Sequence, residues 1–542
     1  MSRNYGRNDI FCSNRLSIII IAFLTVTTCY MVRVDVNVTL LSMVNFTSTF
    51  NESLVSTNYL CATTDITKPS NLEVVHSTGS YFWDSKTQGY ILGAFYWGYI
   101  FTQIPGGILL LRYGPKWLGA FCIGGSAILD LLLPTAAELG PGVLTALRIF
   151  QGLCQGVLMP MIGCIVGRWI PPNERSRATA FSLAGCQIGT IFGQMIAGFF
   201  AQPYPVPDQP GQFLSNWPYV HYCFGLFGIV LVIIWCFVVY DSPEQHPRIS
   251  PEELAYLKYT LTTESNQTRP LDERGVNETN EEPENNVESK RSVVIGLRQS
   301  AAHPTSENNF PDTDENPNHE RPIYGFRDVP WKSLFRSAPF WSILICNVTT
   351  NWSWYTMITC MPTYMSRVLG FSLAKNGVLS SIPYLMQSVF AQFAAFLSDV
   401  VITRQWASVT CVRKLNNAIS MGGMGLGMLA VGLIGCNRFG AVALLVTSIG
   451  ILGAASSGFS TNPVDLAPNY AGVIISLANA VATIPGILGP LFVGYITKDG
   501  TTQSDWLIVF GVCAGIIWFG AVFNLFATSG TIQPWAHNRR RS

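Results

Sequence analysis

The sequence predicts an all-α membrane protein of twelve transmembrane helices in two six-helix bundles, and three observations predict it. Of the 542 residues, 49% are hydrophobic and only 12% are charged, with a mean hydropathy of +0.30. Lipid rather than water is therefore the solvent for most of the chain. Twelve stretches of about twenty mainly apolar residues, the length that crosses a bilayer core, fall six before residue 241 and six after residue 336. The two sets also repeat a local pattern at matching places.

In chain order, the first six spans cover approximately Leu16–Ser42, Gln88–Leu110, Trp117–Ala136, Val143–Val166, Ala180–Ala201 and Tyr219–Tyr240. The first is too long for a signal peptide, despite Arg3, Arg7 and Arg15 before it, and reads as a retained helix. The second six cover approximately Phe340–Met361, Asn376–Leu397, Leu415–Ile434, Gly440–Phe459, Gly472–Ile496 and Trp506–Phe526. The domains expected are thus a bundle over 1–240 with a loop at 43–86, a linker over 241–336, a second bundle over 337–528 and a tail over 529–542. The linker carries 18 of the chain's 32 acids, and its composition predicts disorder over about 262–322.

Clusters of basic residues fix the expected orientation. Arg112 with Lys116, Arg168 with Arg175 and Arg177, Arg404 with Arg413 and Lys414, and Arg539 to Arg541 all fall on the side of the N-terminus. The positive-inside rule makes that side cytoplasmic. The loop at 43–86 then lies outside or in a lumen, where Asn45 (NFT) and Asn51 (NES) are glycosylation sequons. Asn266 and Asn277 also sit in sequons, but on the inner side.

The repeat is visible in single residues. Gly89 precedes Gly107 by 18 residues, Gly377 precedes Ala395 by the same 18, and GTIFG at 189–193 answers ATIPG at 482–486. Two six-helix halves in parallel repeat form the plan of a major facilitator transporter, with the substrate site between the halves near mid-membrane. The turn after the second span, with Gly107, Arg112, Gly114 and Lys116, resembles the inner-loop motif of that superfamily, which implies a gating role; Leu111 stands at the motif's acid position, and Asp399 keeps the acid at the equivalent place in the second half.

An arginine at mid-bilayer costs roughly 2.5–3.5 kcal/mol on insertion scales, so Arg33 in CYMVRVDVNVTL and Arg148 in ALRIFQGLCQG should face the bundle interior and an anion. Guanidinium offers planar paired donors that match carboxylate or phosphate. The alternative partners for Arg33 are Asp35 or Asp130, but residues 33 and 35 point to nearly opposite faces of a helix. Asp130 itself is expected near the outer interface or inside the bundle. Tyr96 and Trp97 on the second span, Asn351, Trp354 and Tyr355 on the seventh, and Asn479 on the eleventh can complete such a pocket. Glycines 185, 189, 193 and 198 allow the fifth span to approach its neighbours closely.

Other chemistries find no support. The fourteen cysteines lie mostly in apolar segments without CxxC spacing, the six histidines are scattered, and no HExxH, GxSxG, GxGxxG or GxxxxGK[ST] element occurs. The expectation is no enzyme, cofactor, metal or nucleic-acid partner. The partners expected are a small anion and the bilayer, and the expected unit is a monomer.

Several motifs in order, FYWGYIFTQIPGG, RWIPPNERSR, DSPEQHPRIS, PTYM, LSSIPYL and SSGFSTNPVDLAPNYAG, resemble the anion:cation symporter family that holds sialin, the vesicular glutamate transporters and the type I sodium-phosphate cotransporters. The resemblance covers most of 80–255 and 328–536, and the second half is most similar to sialin-like members. It implies transport of small anions by alternating access, driven by protons, sodium or membrane potential. It makes Arg33 and Arg148 the family's arginines of the first and fourth helices. The departures are informative. Leu92 and Thr350 stand where the glutamate transporters have a histidine and an arginine, which disfavours glutamate. Gln151 and Gln155 replace glutamates tied to proton coupling in sialin-like members, and Asp35 replaces a common asparagine, which makes it the candidate coupling group. The coupling ion is H+ or Na+ on this reading. The alternatives are a sodium-dependent phosphate or urate-type transporter and a channel-like or transport-inactive member. No acidic dileucine signal occurs in the first fifteen residues, so the expected membrane is the plasma membrane or an endolysosomal or vesicular one.

Overall fold

The computed structural model describes residues 13–45, 79–205, 213–267, 329–435, 437–497 and 502–536. Residues Met1–Leu257 with Pro330–Ser542 form one compact unit and Lys258–Val329 a second. Asn51, the stretch 268–328 and the arginines at 539–541 lie outside the described residues.

The first unit is built of helices. Its first half comprises α1 (Asn14–Met43), α2 (Ser85–Tyr113), α3 (Pro115–Leu131), α4 (Leu133–Leu139), α5 (Pro141–Gln155), α6 (Leu158–Trp169), α7 (Pro172–Phe200) and α8 (Trp217–Val238), with a small hairpin of β1 (Pro203–Pro205) and β2 (Phe213–Ser215). A helix α9 (Pro251–Gln267) follows, so the acidic linker begins as a helix that includes residues 262–267. After α10 (Trp331–Phe335) the second half comprises α11 (Ala338–Arg367), α12 (Leu373–Thr403), α13 (Val409–Leu433), α14 (Arg438–Ile451), α15 (Asn462–Leu466), α16 (Ala471–Ala482), α17 (Ile484–Ile496) and α18 (Gln503–Ala527). Among the described residues eight helices are long and apolar enough to cross a membrane, and α3 with α4, bent by 48°, makes a ninth. The more polar α2, α11 and α13 have 29, 30 and 25 residues, the longest about 45 Å at 1.5 Å per residue, enough to span as well. With these three the order of helices is consistent with twelve spans.

Helix ends follow ordinary capping chemistry. The Ser13 hydroxyl accepts from the Leu16 amide, and the Glu253 carboxylate accepts from the amides of Asn14 and Arg15. Glu253 and Glu174 both also pair with the Arg15 side chain at 3.1 Å. Carboxylates at this end also suit the positive pole of α1. Asp84 caps α2 by accepting from Thr87, and that hydrogen bond holds its carboxyl below the usual range. Gly114, at φ +78°, ends α2 where a side chain would strike Asp241.

Close backbone approach joins the helices. A Cβ on Gly152 would lie 1.9 Å from the Phe95 carbonyl oxygen, so α2 and α5 touch through their main chains. Gly185, Gly189 and Gly193 do the same for α7 against α1 at Phe23, Thr27 and Met31. The repeat noted in the sequence has a structural meaning. Gly89 of α2 faces Pro490 and Gly494 of α17, while Gly377 of α12 faces Gln194 and Gly198 of α7. These two glycines seat equivalent contacts between the halves. Hydrogen bonds at the same end, Arg367 to Gln88 (2.6 Å) and Asn37 to the Ile358 carbonyl (3.0 Å), complete the seal. Each lies toward the helix ends remote from the termini of the chain. The halves thus interlock at the face opposite the termini.

Gly377→Val should destabilise the fold by about 1–3 kcal/mol through overpacking, because a Cβ there meets the Gln194 carbonyl oxygen at 2.6 Å. A Gly163→Ala control, whose Cβ meets nothing within 4 Å, should leave the melting temperature of the purified protein unchanged. Equal melting temperatures for the two variants would show that α7 and α12 are not packed there.

Candidate functional site

Two arginines sit at the centre of the first half. Arg33 on α1 is 3% exposed and Arg148 on α5 is 1% exposed. The Arg33 guanidinium lies over the rings of Tyr30, Phe95 and Tyr99, at 4.3, 4.7 and 4.8 Å, and donates to Gln155 Oε1 at 3.1 and 3.4 Å. Arg148 donates to Gln151 Oε1 at 2.7 Å, to the Arg33 carbonyl at 3.1 Å and to the Val32 carbonyl at 3.4 Å. The glycine contacts between α2 and α5 place Phe95 beside both groups. Cation–π contacts of this kind strengthen when desolvated.

No carboxylate is among the hydrogen-bond partners of either guanidinium in the described residues. Asp35 and Asp130 are not the counter-ions that the sequence leaves open for Arg33. Around the two arginines the buried atoms without a partner are donors: Arg148 Nε, Gln151 Nε2 and Gln155 Nε2. Buried polar groups normally find partners. The cluster therefore presents positive charge and spare N–H groups with no acceptor to receive them.

Aromatic residues close this region toward the second half. Tyr96 and Tyr355, 3% and 9% exposed, meet across the halves with ring centroids 4.6 Å apart. Trp354 packs on Tyr355 and donates to Gln387. Trp97, by contrast, is 46% exposed and turned away from the arginines' buried surroundings, since consecutive helical residues diverge by about 100°. Asn351 is half-buried and donates to Asn347 one turn back on its own helix. Asn479 is exposed, and its carbonyl receives Thr483, which in turn receives Gln103 of α2. The structure thus brings Arg33, Arg148, Gln151, Gln155, Tyr96 and Tyr355 together, and leaves Trp97, Asn351 and Asn479 outside that group. Leu92 and Thr350 are both buried.

Asp35 is fully buried on the other face of α1. Its Oδ2 lies 3.2 Å from Nδ1 of His221 on α8, and Asp130 Oδ1 on α3 lies 3.1 Å from the same nitrogen. Thr39 Oγ1 lies 3.3 Å from His221 Nε2. Asp130 is not at an interface; like His221 it is wholly buried. One side-chain oxygen or nitrogen of each of the three residues lies within 4.8 Å of the others. His221 escaped the sequence reading because it was weighed with the other histidines against metal motifs; its place five residues into a lipid-spanning helix was the available signal.

The turn between α2 and α3 is organised by Asp241. Its carboxylate accepts from the Lys116 amide at 2.9 Å, its carbonyl accepts from Arg168, and the Lys116 ammonium lies 3.5 Å from the centre of the Tyr240 ring. Gly107 is half-buried, whereas Arg112 is exposed and stacks on Tyr113. In the second half Asp399 is exposed. The ion-paired acid there is Asp465, which receives Arg413 at 2.7 Å. Neither Asp241 nor Asp465 was singled out from sequence. Asn45 is partly buried and its amide donates to the Tyr81 carbonyl at 2.8 Å.

Comparison with known proteins agrees with this architecture. The Major Facilitator Superfamily model matches residues 20–490. Human sialin is 34% identical, with 98% of this chain and 92% of that protein covered. A putative inorganic phosphate cotransporter of Drosophila melanogaster is 31% identical, covering 96% and 86%. Vesicular glutamate transporter 1 of Xenopus laevis is 30% identical, covering 87% and 70%. Among solved structures, a bacterial homolog of the human lysosomal transporter Spinster, inward-facing and occupied, superposes with a TM-score of 0.57 at 13% identity over 96% of this chain and 97% of that one. With a glycine-seated pairing of two helical halves, buried arginines in the first of them, and relatives 30 to 34% identical over most of the chain, the chain belongs to the Major Facilitator Superfamily, in the branch that contains sialin, the inorganic phosphate cotransporters and the vesicular glutamate transporters.

Proposed function

We propose that the chain is a secondary active transporter of small anions that works by alternating access. The observation that carries this reading is the set of unpartnered buried donors, Arg148 Nε, Gln151 Nε2 and Gln155 Nε2, beside two guanidiniums. An acceptor-rich anion satisfies such a set and balances the charge beside it, and a carboxylate or phosphate supplies the oxygens. Arg33 and Arg148 bind the anion, Gln151 and Gln155 orient the guanidiniums, and Tyr96 with Tyr355 closes the anion's surroundings toward the second half. The interlocked glycine contacts at that face correspond to one of the two states that alternating access requires.

Organic acids of the sialate class rank ahead of phosphate, and both ahead of glutamate. Sialin is a full-length relative, and Leu92 and Thr350 are uncharged. The basic clusters put the termini in the cytoplasm. The kinship with sialin and with vesicular transporters favours an endolysosomal or vesicular membrane over the plasma membrane. The phosphate reading draws support from Gln151 and Gln155, which remove a carboxylate from the anion's surroundings, and from the inorganic phosphate cotransporter among the relatives. Purified protein in liposomes, under imposed pH or sodium gradients, separates the readings by uptake of labelled sialate, phosphate, urate and glutamate. Uptake of none of these would overturn the proposal.

Arg33→Ala should cut uptake severely with surface delivery intact, and Arg33→Lys should retain a larger part, because a lysine keeps the charge but loses the planar donors and the three-ring stack. Loss of charge-assisted hydrogen bonds of about 1.5–3 kcal/mol corresponds to about a tenfold to hundredfold fall in uptake at low substrate. Normal initial rates in Arg33→Ala would remove this residue from the site.

Gln155→Glu gives a second test. An ionised glutamate would take the Arg33 guanidinium as its own partner and compete with the substrate, whereas the protonated acid would not. KM for uptake in this variant should therefore rise with pH more steeply than in the wild type. A KM whose pH dependence in Gln155→Glu matches that of the wild type would show that the amide does not border the anion.

A further inference from the structure

Asp35, Asp130 and His221 join α1, α3 and α8 in a sealed cluster on the side of α1 away from Arg33. All three are 0% exposed. The Thr39 hydroxyl donates to the Asp35 carbonyl at 3.2 Å and, with its proton placed there, offers its oxygen to a proton on His221 Nε2 at 3.3 Å. His221 Nδ1 faces two carboxylate oxygens at 3.1 and 3.2 Å, which are acceptors when ionised. The arrangement suits an imidazolium between two acids.

One N–H cannot satisfy both carboxylates. Asp35 Oδ1 accepts from the Val36 amide at 2.6 Å, but Asp35 Oδ2 and Asp130 Oδ2 are buried without a hydrogen-bond partner. Two carboxylates and one imidazolium leave a net charge of minus one in a low-dielectric setting, where burial of an unpaired charge is expensive. A single additional proton on one of the free oxygens makes the cluster neutral. The nearest cation is Arg148 of α5, which interacts electrostatically with both acids and is bonded to the carbonyls of Val32 and Arg33. The charged residues of the other helices packed nearby lie elsewhere. Glu138 of α4 is exposed, and Glu174, Arg175 and Arg177 are in the first turns of α7 at the terminal face.

We infer that Asp35, Asp130 and His221 together form the proton-binding site that couples anion transport to a pH gradient. Resting on the transport reading above, this inference extends the role from Asp35 to three residues on three helices. Without the added proton, the cluster's negative charge serves as counter-charge to Arg148. With it, the two guanidiniums have only the substrate anion as counter-ion. Proton and anion therefore bind with positive cooperativity, and by linkage each raises the other's affinity equally. The proton enters onto a carboxylate oxygen from one side of the membrane and leaves from it to the other, as the two halves change their sealed face.

The test uses the full chain with Asp130→Asn, His221→Gln and Asp35→Asn/Asp130→Asn. In liposomes, accumulation of labelled sialate or inorganic phosphate under a pH gradient should fall in all three to the level seen without a gradient. Exchange of labelled for unlabelled anion should persist in Asp130→Asn and His221→Gln, which also shows that they fold. A substrate-free readout is infrared difference spectroscopy. The wild type should show a protonated-carboxyl stretch that titrates, and the double variant should lack it. Absence of that band from the wild type, gradient-driven accumulation unchanged in the variants, or accumulation that follows sodium at equal pH would each overturn the inference. Should neither probe accumulate in the wild type while the band still titrates, the substrate reading fails and the proton site stands.

Discussion

Two guanidinium groups buried in the first half, with no carboxylate hydrogen-bonded to either among the described residues, are the constraint on which the rest of this site depends. Their charge is spread over aromatic faces and amide oxygens instead: three rings around Arg33, one glutamine for each arginine, and two main-chain carbonyls for Arg148. These partners soften the desolvation penalty without cancelling the charge. A carboxylate at 151 or 155 would pair with the arginines directly and leave less charge for a ligand. The two glutamines hold the guanidiniums in place and leave their charge available.

Holding the arginines requires close helices, and glycine provides them. The main-chain contact of α2 with α5 brings Phe95 and Tyr99 to within about one side-chain length of α1, and the glycines of α7 seat it on the other flank of α1. The same device recurs between the halves at Gly89 and Gly377. There it serves a different end, because a contact made of backbone and small residues has few side chains to disentangle when two rigid bodies rock apart. Stable packing within a half and separable packing between halves are thus both written with glycine.

Much of this was legible in the sequence. Span number, the spacing of the two glycine repeats and the two intramembrane arginines follow from hydropathy and from the cost of a charge in lipid. The opposite facing of residues 33 and 35 follows from helical periodicity alone, and the structure places them on opposite sides of α1 as periodicity requires. What could not be read was the pairing of residues far apart in the chain. Asp130 and His221 are separated by 91 positions and become neighbours only because α3 and α8 pack together. Asp241 and Asp465 likewise acquire partners across the fold. Trp97 and Asn479 show the converse: their side-chain type fits a binding pocket, and both are exposed, outside the buried group around the arginines.

Arg148 is the group that links the two faces of α1. A helix 10–12 Å across separates its sides enough to weaken a direct Coulomb interaction. Arg148 shortens the path by bonding to carbonyls 32 and 33, between Arg33 on one side and Asp35 on the other. Its charge is felt by the acid cluster, and its unpartnered Nε adds to the spare amide donors of Gln151 and Gln155. A change of charge on the cluster alters how much of the Arg148 field is left for a ligand, with no movement of the helix needed. An acid at position 151 or 155 would place a proton site beside the anion itself. In this chain the acids stand one helix-width away, and a buried arginine carries their influence across.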